Sequence, residues 1–576
     1  MTDIRRLQGA LGNARAHLLA RRCPEGYWEG RLSSSALATA VAVSALSLGD
    51  AHRDAELIGR GVAWLCNTQN GDGGWGDTPD SPSNLSTTLL GLSALVLAGR
   101  PAERALSAAR AYVSRNAGSS PAQVAMAVER IYGRDRTFAA PILMNCALAG
   151  IVKWDSLADL PFELAVLPRA VYGVLGLQVV SYALPALIAV GLSIERHTAR
   201  SQSARDVLRW LCEPAVRRRL AALQPSHGGF LEATPLTAFV GMAMIGVAGP
   251  DDAVVKRCLS FLRKSMRPDG SWPIDTNLAT WVSSGACSAL SIAGGCDPTE
   301  AARLREWLAR QQSETVHQFT GARPGGWAWT HLPGGVPDTD DTAGAILALL
   351  GTPQGHGVER GVRWLLGLQN KDGGWPTFCR GWGRLPFDRS SPDITAHAIR
   401  ALLGFSRSAP DPRIGRACRR AARRGVKYLA RAQQADGSWL PLWFGNQAVA
   451  GKGNPVLGTA RVLMALAEAA PGAREAELGL QYLIGARNDD GGWGGARGVA
   501  SSVEETALAV TALTCFPSRD REALARGVEY LIRRVESGSW ADTRPIGLYF
   551  ASLWYAEDLY PLIWTIEALG RVAAIL

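Results

Sequence analysis

The chain repeats one phrase, which is clearest as Arg360-Gly361…Trp364-Leu365…Gln369-Asn370-Lys371-Asp372-Gly373-Gly374-Trp375. The phrase recurs at residues 60–75 and 424–439, and degenerate copies end at four further tryptophans: Trp28, Trp272, Trp493 and Trp540. Each copy begins with apolar residues at helical spacing, breaks at an Asp-Gly turn and resumes as a second helix after a short loop. The repeat therefore predicts pairs of helices joined by tight turns.

Paired helices of this kind must bury their apolar faces against neighbouring pairs, so they close into a barrel or stack as a solenoid. The copies fall into two groups, one before and one after about residue 285, and strand-like alternation is almost absent. We therefore predict an all-α protein with two helical barrels.

The composition is that of a globular protein, and its charge distribution bears on whether the partner is a membrane or nucleic acid. The 576 residues, 47% hydrophobic and 19% charged, are enough for two or three domains with substantial cores. The net charge of +10 is spread along the chain rather than gathered in a basic block, which favours a membrane surface weakly and argues against nucleic acid. The ten cysteines occur singly, and residues 1–22 lack a signal-peptide core. These features predict an intracellular protein with reduced thiols and no cysteine zinc site.

One stretch, from Val174 to Leu192, is nearly all apolar. It is barely long enough to span a bilayer, and Pro185 interrupts it. The stretch is therefore either a buried core helix or a contact with one face of a membrane. The second interpretation predicts that the protein associates with membranes through this region.

An acidic cluster, Asp338, Asp340 and Asp341, stands directly before the apolar helical run 343–350. Acidic residues at a helix start can cap the helix, because its exposed N–H groups and its dipole stabilise negative charge. A cap needs only one acceptor, however, and three crowded carboxyl groups cannot all ionise. The cluster therefore either caps the helix or stores a proton for release.

The repeat and the segment Asp338-Thr339-Asp340-Asp341-Thr342-Ala343 together resemble the squalene-hopene cyclase group of class II terpene cyclases, where the phrase is known as the QW repeat. The resemblance covers nearly the whole chain. It implies two α/α barrels of the α6-α6 type, the N-terminal one inserted into the C-terminal catalytic one, with a cavity between them. The implied limits are an N-terminal segment at 1–20 that packs on the catalytic domain, an inserted barrel at 21–284 and a catalytic barrel at 285–576.

The resemblance also implies a function. The expected activity is the protonation-initiated cyclisation of a linear polyprene such as squalene to a hopene-like or related triterpene, with no cofactor and no metal. The expected location is one membrane leaflet on the cytoplasmic side of the cell membrane, as a peripheral or monotopic protein. A homodimer is left open.

The family's proton donor is the middle aspartate of the cluster, which is Asp340 here, and Asp338 and Asp341 flank it. An alkene is a very weak base, so its protonation needs a strong acid that is shielded from water. The resemblance implies that a histidinium on the following helix makes Asp340 more acidic, and the matching residue is His397. Asp393 lies four residues before His397 on the same helix face, where it caps the helix or orients the imidazole.

Aromatic side chains are expected to guide the carbocation, because a ring face attracts a cation without supplying a lone pair. The chain has nineteen tryptophans, and those that close the repeats, such as Trp375 and Trp439, are expected to pack rather than to bind substrate. The residues that match the family's cavity lining are Trp281, Trp329, Phe378, Trp443, Tyr549, Phe550, Trp554 and Tyr555.

Three positions depart from the family pattern. Val282 follows Trp281 where an aspartate is expected, residues 445–449 offer no clear match for a tyrosine that relays the proton, and residues 33–35 are serines in place of acidic residues. Initiation is therefore expected to be intact, whereas reprotonation and the final quenching step differ.

Three other functions compete with this interpretation. A class II cyclase of a prenyl diphosphate, making a copalyl or drimenyl type of product, would need a cationic clamp. Four basic residues near Phe378 could provide one or could simply be solvated: Lys371, Arg380, Arg384 and Arg389. A zinc-dependent protein prenyltransferase subunit would need an Asp, Cys and His set that the sequence does not group. The last alternative is a non-catalytic helical scaffold that binds lipids or proteins.

Overall fold

The computed structural model describes residues 3–133, 136–167, 171, 180–198, 204–317, 320–381, 383–516, 520–547 and 553–576. The chain divides into two compact units. The first unit consists of Met1–Arg31, Asn277–His331 and Gly335–Leu576, and the second of Leu32–Thr276 and Leu332–Gly334. The domain limits expected from the sequence, at 20/21 and 284/285, stay a prediction.

The helices are numbered in chain order. The first unit begins with α1, Ile4–Ala20. The second unit contributes α2 Ala36–Asp50, α3 Ala55–Asn67, α4 Leu85–Ala98, α5 Glu103–Ala117, α6 Pro121–Tyr132, α7 Arg136–Leu148, α8 Val180–His197, α9 Ala204–Leu223, α10 Thr234–Ala248 and α11 Ala253–Ser265. The first unit continues with α12 Ala279–Ile292, α13 Pro298–Arg310, α14 Thr339–Leu349, α15 Gly355–Leu368, α16 Pro392–Ser406, α17 Pro412–Ala432, α18 Pro455–Ala469, α19 Arg474–Gly485, α20 Val503–Thr514, α21 Arg521–Glu536 and α22 Tyr560–Ile575.

The first unit is an α/α barrel. Its inner ring is α12, α14, α16, α18, α20 and α22, in which each helix packs on the next and α22 closes on α12. The outer helices are α13, α15, α17, α19, α21 and α1. One outer helix lies between successive inner helices along the chain, so the inner helices run in one direction and all begin at the same end of the ring. The predicted all-α class, built of α/α barrels, is confirmed.

Burial follows the position of each helix in this barrel. The inner helix α20 is buried along its entire length. The outer helix α17 buries Ile414, Cys418, Ala421 and Leu429 on one face and carries arginines on the other. A helix packed on all sides must be apolar all round, whereas a helix packed on one side needs only an apolar stripe.

The repeated phrase forms the corner between helices. The indole N–H of Trp375 donates to the carbonyl of Leu365 on α15 at 2.8 Å, and Trp75, Trp272, Trp439 and Trp493 make the same bond ten residues back at 2.7–2.8 Å. Gly373 has a φ of +96°, and a Cβ there would lie 2.6 Å from the Arg424 carbonyl oxygen. The glycine is therefore required by both backbone conformation and space.

The same corner also sets where each inner helix begins. The described ranges contain isolated antiparallel bridges but no strand, and several of these bridges join a repeat tryptophan to the residue that caps an inner helix. Trp327 forms a corner of the same kind, in which its indole N–H donates to the Leu308 carbonyl at 2.8 Å. Trp327 pairs with Asp338, whose N–H donates to the Trp327 carbonyl at 3.0 Å. The repeat thus holds the first residue of the acidic cluster at the start of α14.

The second unit is also a closed ring of helices. Among its described helices the inner ring is α2, α4, α7, α8 and α10, with α3, α5, α6, α9 and α11 outside. These are five inner and five outer helices within the described ranges. Two short 3₁₀ turns, Trp154–Ser156 and Phe162–Val166, lie among the described residues between α7 and α8.

The apolar stretch Val174–Leu192 lies only partly in the described ranges. Its described part belongs to α8, where Leu184, Ile188 and Val190 are buried in the second unit. The prediction of a membrane contact is wrong for these residues, because they face other helices. No helix in the described parts of the chain has the length and apolarity needed to cross a bilayer.

Exposed apolar residues of the second unit occur elsewhere. Seven of them form the apolar patch, which comprises Leu164, Val166, Leu167, Val207, Leu208, Trp210 and Leu211. The turn Phe162–Val166 packs against α9, so the two halves of the patch are neighbours. Arg209 joins them with hydrogen bonds to Glu163 at 3.1 Å and Asp159 at 2.6 Å. Its own side chain is buried.

Candidate active site

The acidic cluster forms the first turn of α14. Asp338 is the N-cap, and its carboxylate accepts the Asp341 N–H at 2.9 Å. Asp338 and Asp341 are buried, whereas 20% of the Asp340 side chain is exposed. Capping is therefore part of the cluster's role, but only one of the three carboxyl groups performs it.

Asp340 meets His397 on the neighbouring helix of the inner ring. The Nδ1 atom of His397, on α16, lies 2.5 Å from Oδ1 of Asp340. The inner helices begin at the same end, so residues near the starts of α14 and α16 lie side by side. The structure brings the predicted acid and the predicted histidine into direct contact.

The three carboxyl groups differ in acidity. Burial raises the pKa of Asp338 to about 7, and burial together with the charge of Asp338 raises the pKa of Asp341 well above its usual range. Burial also acts on Asp340, but His397 and Arg461 outweigh it and lower its pKa. Within the cluster the pKa of Asp338 and Asp341 is thus raised, whereas that of Asp340 is lowered.

His397 is oriented mainly by Asp340. The edge of its ring meets Trp281, with centroids 6.1 Å apart and planes at 79°. Asp393 does not have the orienting position considered from the sequence, because its carboxylate accepts from the Ser391 hydroxyl and from the Leu442 N–H. Burial raises the pKa of Asp393 to about 6. Burial lowers the pKa of His397, and the charges of Arg461 and Arg400 lower it further. Asp340 has the opposite effect and raises it.

One group of aromatic rings is built from three predicted residues. Phe378 lies with its ring centroid 6.3 Å from that of Trp329 and 5.6 Å from that of Trp443, in both cases edge to face. Phe387, which was not predicted, lies 5.6 Å from Phe378. The Trp443 indole N–H donates to the Thr377 hydroxyl at 2.6 Å.

A second group surrounds Trp281. Its indole stacks near Phe444, at 6.5 Å and 22°, and Phe444 meets Tyr560 edge to face at 6.4 Å. Tyr560 stacks on Trp564 at 4.9 Å. Of these residues only Trp281 was predicted. The i, i+4 spacing of Tyr560 and Trp564 on an apolar helix was a usable signal, but it is shared by ordinary core pairs.

The remaining predicted aromatics lie near the C-terminus. Tyr549 and Phe550 fall outside the described residues. Trp554 and Tyr555 are buried. Burial, together with the neighbouring Tyr555, raises the pKa of Tyr560 well above its usual range, and the Trp281 indole acts in the opposite direction. Tyr555 is thereby linked to the second aromatic group.

Residues in two of the segments that depart from the family pattern form hydrogen bonds in the structure. Asn446, in the segment without the relay tyrosine, donates its amide to Glu505 at 2.9 Å. Ser34 bonds to Asp269, and Ser35 caps α2 by accepting the Ala38 N–H.

The predicted basic residues Lys371, Arg380, Arg384 and Arg389 are all exposed. Within the described ranges no group of three or more His, Cys, Asp or Glu side chains could hold a metal ion.

A solved structure identifies the class of fold. The ent-copalyl diphosphate synthase from Streptomyces platensis superposes with a TM-score of 0.60, at 20% identity, over 98% of this chain and 99% of that one. At this identity the likeness concerns the fold, which is that of the α/α-barrel terpene cyclases.

The sequence comparison identifies the family. The model described as the squalene-hopene cyclase C-terminal domain matches residues 279–574, and the one described as its N-terminal domain matches residues 11–200. The chain belongs to the squalene-hopene cyclase family.

Two relatives show the range within the family. A probable squalene–hopene cyclase of Sinorhizobium fredii is 24% identical over 99% of this chain and 97% of its own length. Drimenyl diphosphate synthase of Streptantibioticus cattleyicolor is 31% identical over 56% of this chain and 57% of its own length. The chain spans about half the length of the first curated relatives that it matches.

Proposed function

We propose that this chain is a class II terpene cyclase that protonates and cyclises a linear polyprene such as squalene to a hopene-like or related product. The observation that carries the proposal is the 2.5 Å contact between Asp340 and His397 beside a wall of aromatic rings. In this proposal Asp340 is the proton donor, His397 its partner, and Asp338 and Asp341 its supports. We assign the reaction to the barrel of the first unit, whose inner ring contains both Asp340 and His397.

The first step transfers one proton. The O–H bond of Asp340 breaks, and the π electrons of the terminal alkene form a C–H bond at its less substituted carbon. A carbocation is left on the more substituted carbon, and a carboxylate is left on Asp340. His397 stabilises that carboxylate more strongly than the neutral acid, so it lowers the barrier rather than simply binding the ground state. The lowered pKa of Asp340 supports this assignment.

Aromatic faces then carry the positive charge through the ring closures. The groups centred on Phe378 and Trp281 offer aromatic ring faces, which attract a cation without supplying a lone pair. We assign Trp281, Trp329, Phe378 and Trp443 to the cavity wall. The C-terminal residues Tyr549, Phe550, Trp554 and Tyr555 complete the proposed substrate-binding set.

A prenyl diphosphate is the second candidate substrate. The drimenyl diphosphate synthase relative favours it, since it is 31% identical to the matched part of this chain. The basic residues at 371–389 are exposed, so any binding of a diphosphate there would compete with water and salt. The hydrocarbon substrate is therefore our first choice.

The test is to incubate the purified protein separately with squalene, farnesyl diphosphate and geranylgeranyl diphosphate, with and without magnesium, and to identify products by mass spectrometry. A cyclic product from squalene that is lost in Asp340→Asn supports the proposal. A cyclic product from a diphosphate alone establishes the second candidate. No cyclic product from any of the three contradicts the cyclase proposal and favours the lipid-binding scaffold.

We also propose that the protein associates with one leaflet on the cytoplasmic side of the membrane, through the apolar patch. Trp210 and Leu211 are each at least 60% exposed, and basic residues lie along the same helix, α9. The protein should sediment with liposomes and be released by detergent but not by salt, because apolar burial is insensitive to charge screening. Trp210→Ser combined with Leu211→Ser should abolish sedimentation, and unchanged sedimentation would contradict this site. A homodimer stays a prediction.

A further inference from the structure

Arg461 is a cation inside the catalytic barrel that the sequence did not indicate. It lies on α18, six residues after Pro455, which places it about 9 Å along the helix from its start. Its guanidinium carbon is 5.9 Å from the ring of Trp281 and 5.9 Å from that of Trp564. Helices α18 and α12 are opposite members of the inner ring. The side chain must therefore reach across the lumen to contact Trp281.

The neighbouring charges are already paired with one another. Glu468 accepts from Arg400 at 3.1 Å and from Arg407 at 3.0 Å, and Glu567 forms an ion pair with Arg571 at 3.1 Å. No carboxylate in the described parts of the chain lies within ion-pair distance of Arg461. Two indole faces support its charge, and so does the more distant carboxylate of Glu567, whose pKa Arg461 helps to lower.

The charge of Arg461 acts on the acid. It lowers the pKa of Asp340, and it also opposes protonation of His397. Burial and Arg461 both lower the pKa of His397, so they make the loss of its proton easier. The guanidinium of Arg461, in contrast, keeps its charge at any working pH. The imidazole therefore cannot be the sole source of positive charge beside Asp340.

We propose that Arg461 is a positioning residue for the proton donor, resting on the proposed function of Asp340. Before proton transfer, Asp340 is neutral and the two indoles hold the guanidinium. After transfer, Asp340 is a carboxylate, and the fixed charge of Arg461 stabilises it. The attraction exists only as the proton leaves, so it raises the rate of initiation rather than the affinity for substrate.

This role makes a prediction about substrate basicity. An epoxide oxygen is a far stronger base than an alkene, so its protonation needs a weaker acid. Loss of Arg461 should therefore impair cyclisation of the alkene more than cyclisation of its terminal epoxide. A purely structural role would impair both substrates alike.

The experiment compares Arg461→Met with the wild type on squalene and on its terminal epoxide. If the wild type converts geranylgeranyl diphosphate instead, that compound and its terminal epoxide are used. Methionine keeps the long apolar stem and removes the charge. We expect kcat for the alkene to fall roughly 10- to 100-fold, with a much smaller loss for the epoxide and little change in KM.

Two further variants complete the test. Arg461→Lys keeps the charge and should restore much of the alkene activity. Arg407→Met removes an equal charge from a side chain that is 65% exposed, and should leave the alkene-to-epoxide ratio unchanged. An equal loss on both substrates in Arg461→Met, or no loss, overturns the proposal for Arg461. A wild type that converts neither type of substrate contradicts the proposed function itself.

Discussion

The starts of two inner helices, α14 and α20, carry nearly the same local design but differ in chemistry. The segments Asp338–Asp341 and Ser502–Glu505 each consist of an N-cap, an apolar or small residue and two consecutive acids. Each cap is bridged to the tryptophan of its repeat. Local sequence therefore gives both helices buried carboxyl groups in the same register.

The neighbours of the two acidic pairs are what differ. Asp340 contacts His397 and lies near Arg461, which together lower its pKa. Glu504 accepts the Arg544 N–H at 2.9 Å, and burial together with Glu505 raises its pKa to about 8. The lowered pKa of Asp340 favours loss of its proton, whereas the raised pKa of Glu504 favours retention of its proton. Position at a helix start does not by itself lower the pKa of a carboxyl group, whereas His397 on α16 and Arg461 on α18 do so for Asp340.

The largest expected effect comes from exchanging each acid for its amide. Asp340→Asn should reduce turnover by more than roughly 10²-fold, because the amide keeps the shape but has no acidic proton. The matched variant Glu504→Gln should retain most activity, since this carboxyl is paired with a backbone N–H. Product formation measured by mass spectrometry checks both, with melting temperature as the control for folding. If the first variant kept more than about a tenth of the activity, Asp340 would not be the acid.

Loss of the imidazole beside Asp340 should have the next largest effect. His397→Ala should impair turnover severely but less completely than Asp340→Asn, by roughly 10- to 100-fold, because Arg461 still acts on Asp340. His397→Gln keeps a hydrogen-bond donor without the charge and serves as the control. Steady-state rates for the three proteins give the comparison. Equal rates for His397→Ala and the wild type would mean that the contact with His397 does not distinguish Asp340 from Glu504 in function.

The raised pKa of Glu504 should appear as a pH dependence of stability. The folded pKa is about 8 against an ordinary 4.5, so the folded state binds a proton that the unfolded state has lost between these values. The stabilising contribution is full below about pH 4.5 and is lost as the pH rises through about 8. The melting temperature of Glu504→Gln should therefore rise relative to the wild type across this window. A constant difference between pH 5 and 8 would show that Glu504 titrates normally.

The smallest expected effect concerns the caps. Ser502 accepts the Glu505 N–H at 3.1 Å, so Ser502→Ala should cost about 1 kcal/mol of unfolding free energy. The exposed Ser408→Ala should change stability by less than about 0.5 kcal/mol. Denaturant unfolding measures both variants, and activity should be unaffected in either. A larger loss of turnover than of stability in Ser502→Ala would mean that α20 takes part in the reaction.

Much of the site could be anticipated because its signals are local. The cluster Asp338–Asp341 is contiguous, and His397 was matched to it through the resemblance to the family. Phe444 and Arg461 could not be anticipated, because nothing in their flanking residues marks a side chain that reaches a helix on the other side of a ring. The same holds for Asp393, whose spacing from His397 suggested a contact that the Ser391 hydroxyl and the Leu442 N–H replace.

The predicted membrane contact is a case in which a strong local signal pointed to the wrong residues. The stretch Val174–Leu192 is among the most apolar in the chain, but its described part is buried by neighbouring helices of the second unit. The exposed apolar patch is divided between a short turn and α9, where arginines interrupt the hydrophobic residues and conceal the pattern. Hydrophobicity measures the tendency to leave water, and the fold decides whether protein or another apolar phase receives the side chain.

The sequence by itself determined the all-α class, the paired-helix repeat and the acidic start of α14, because helical periodicity, Asp-Gly turns and caps act within a few residues of the chain. Only the tertiary structure decided which carboxyl group has its pKa lowered, since that depends on charges from α16 and α18. Coulomb energies act through space across the ring of helices, and spacing along the chain does not report them.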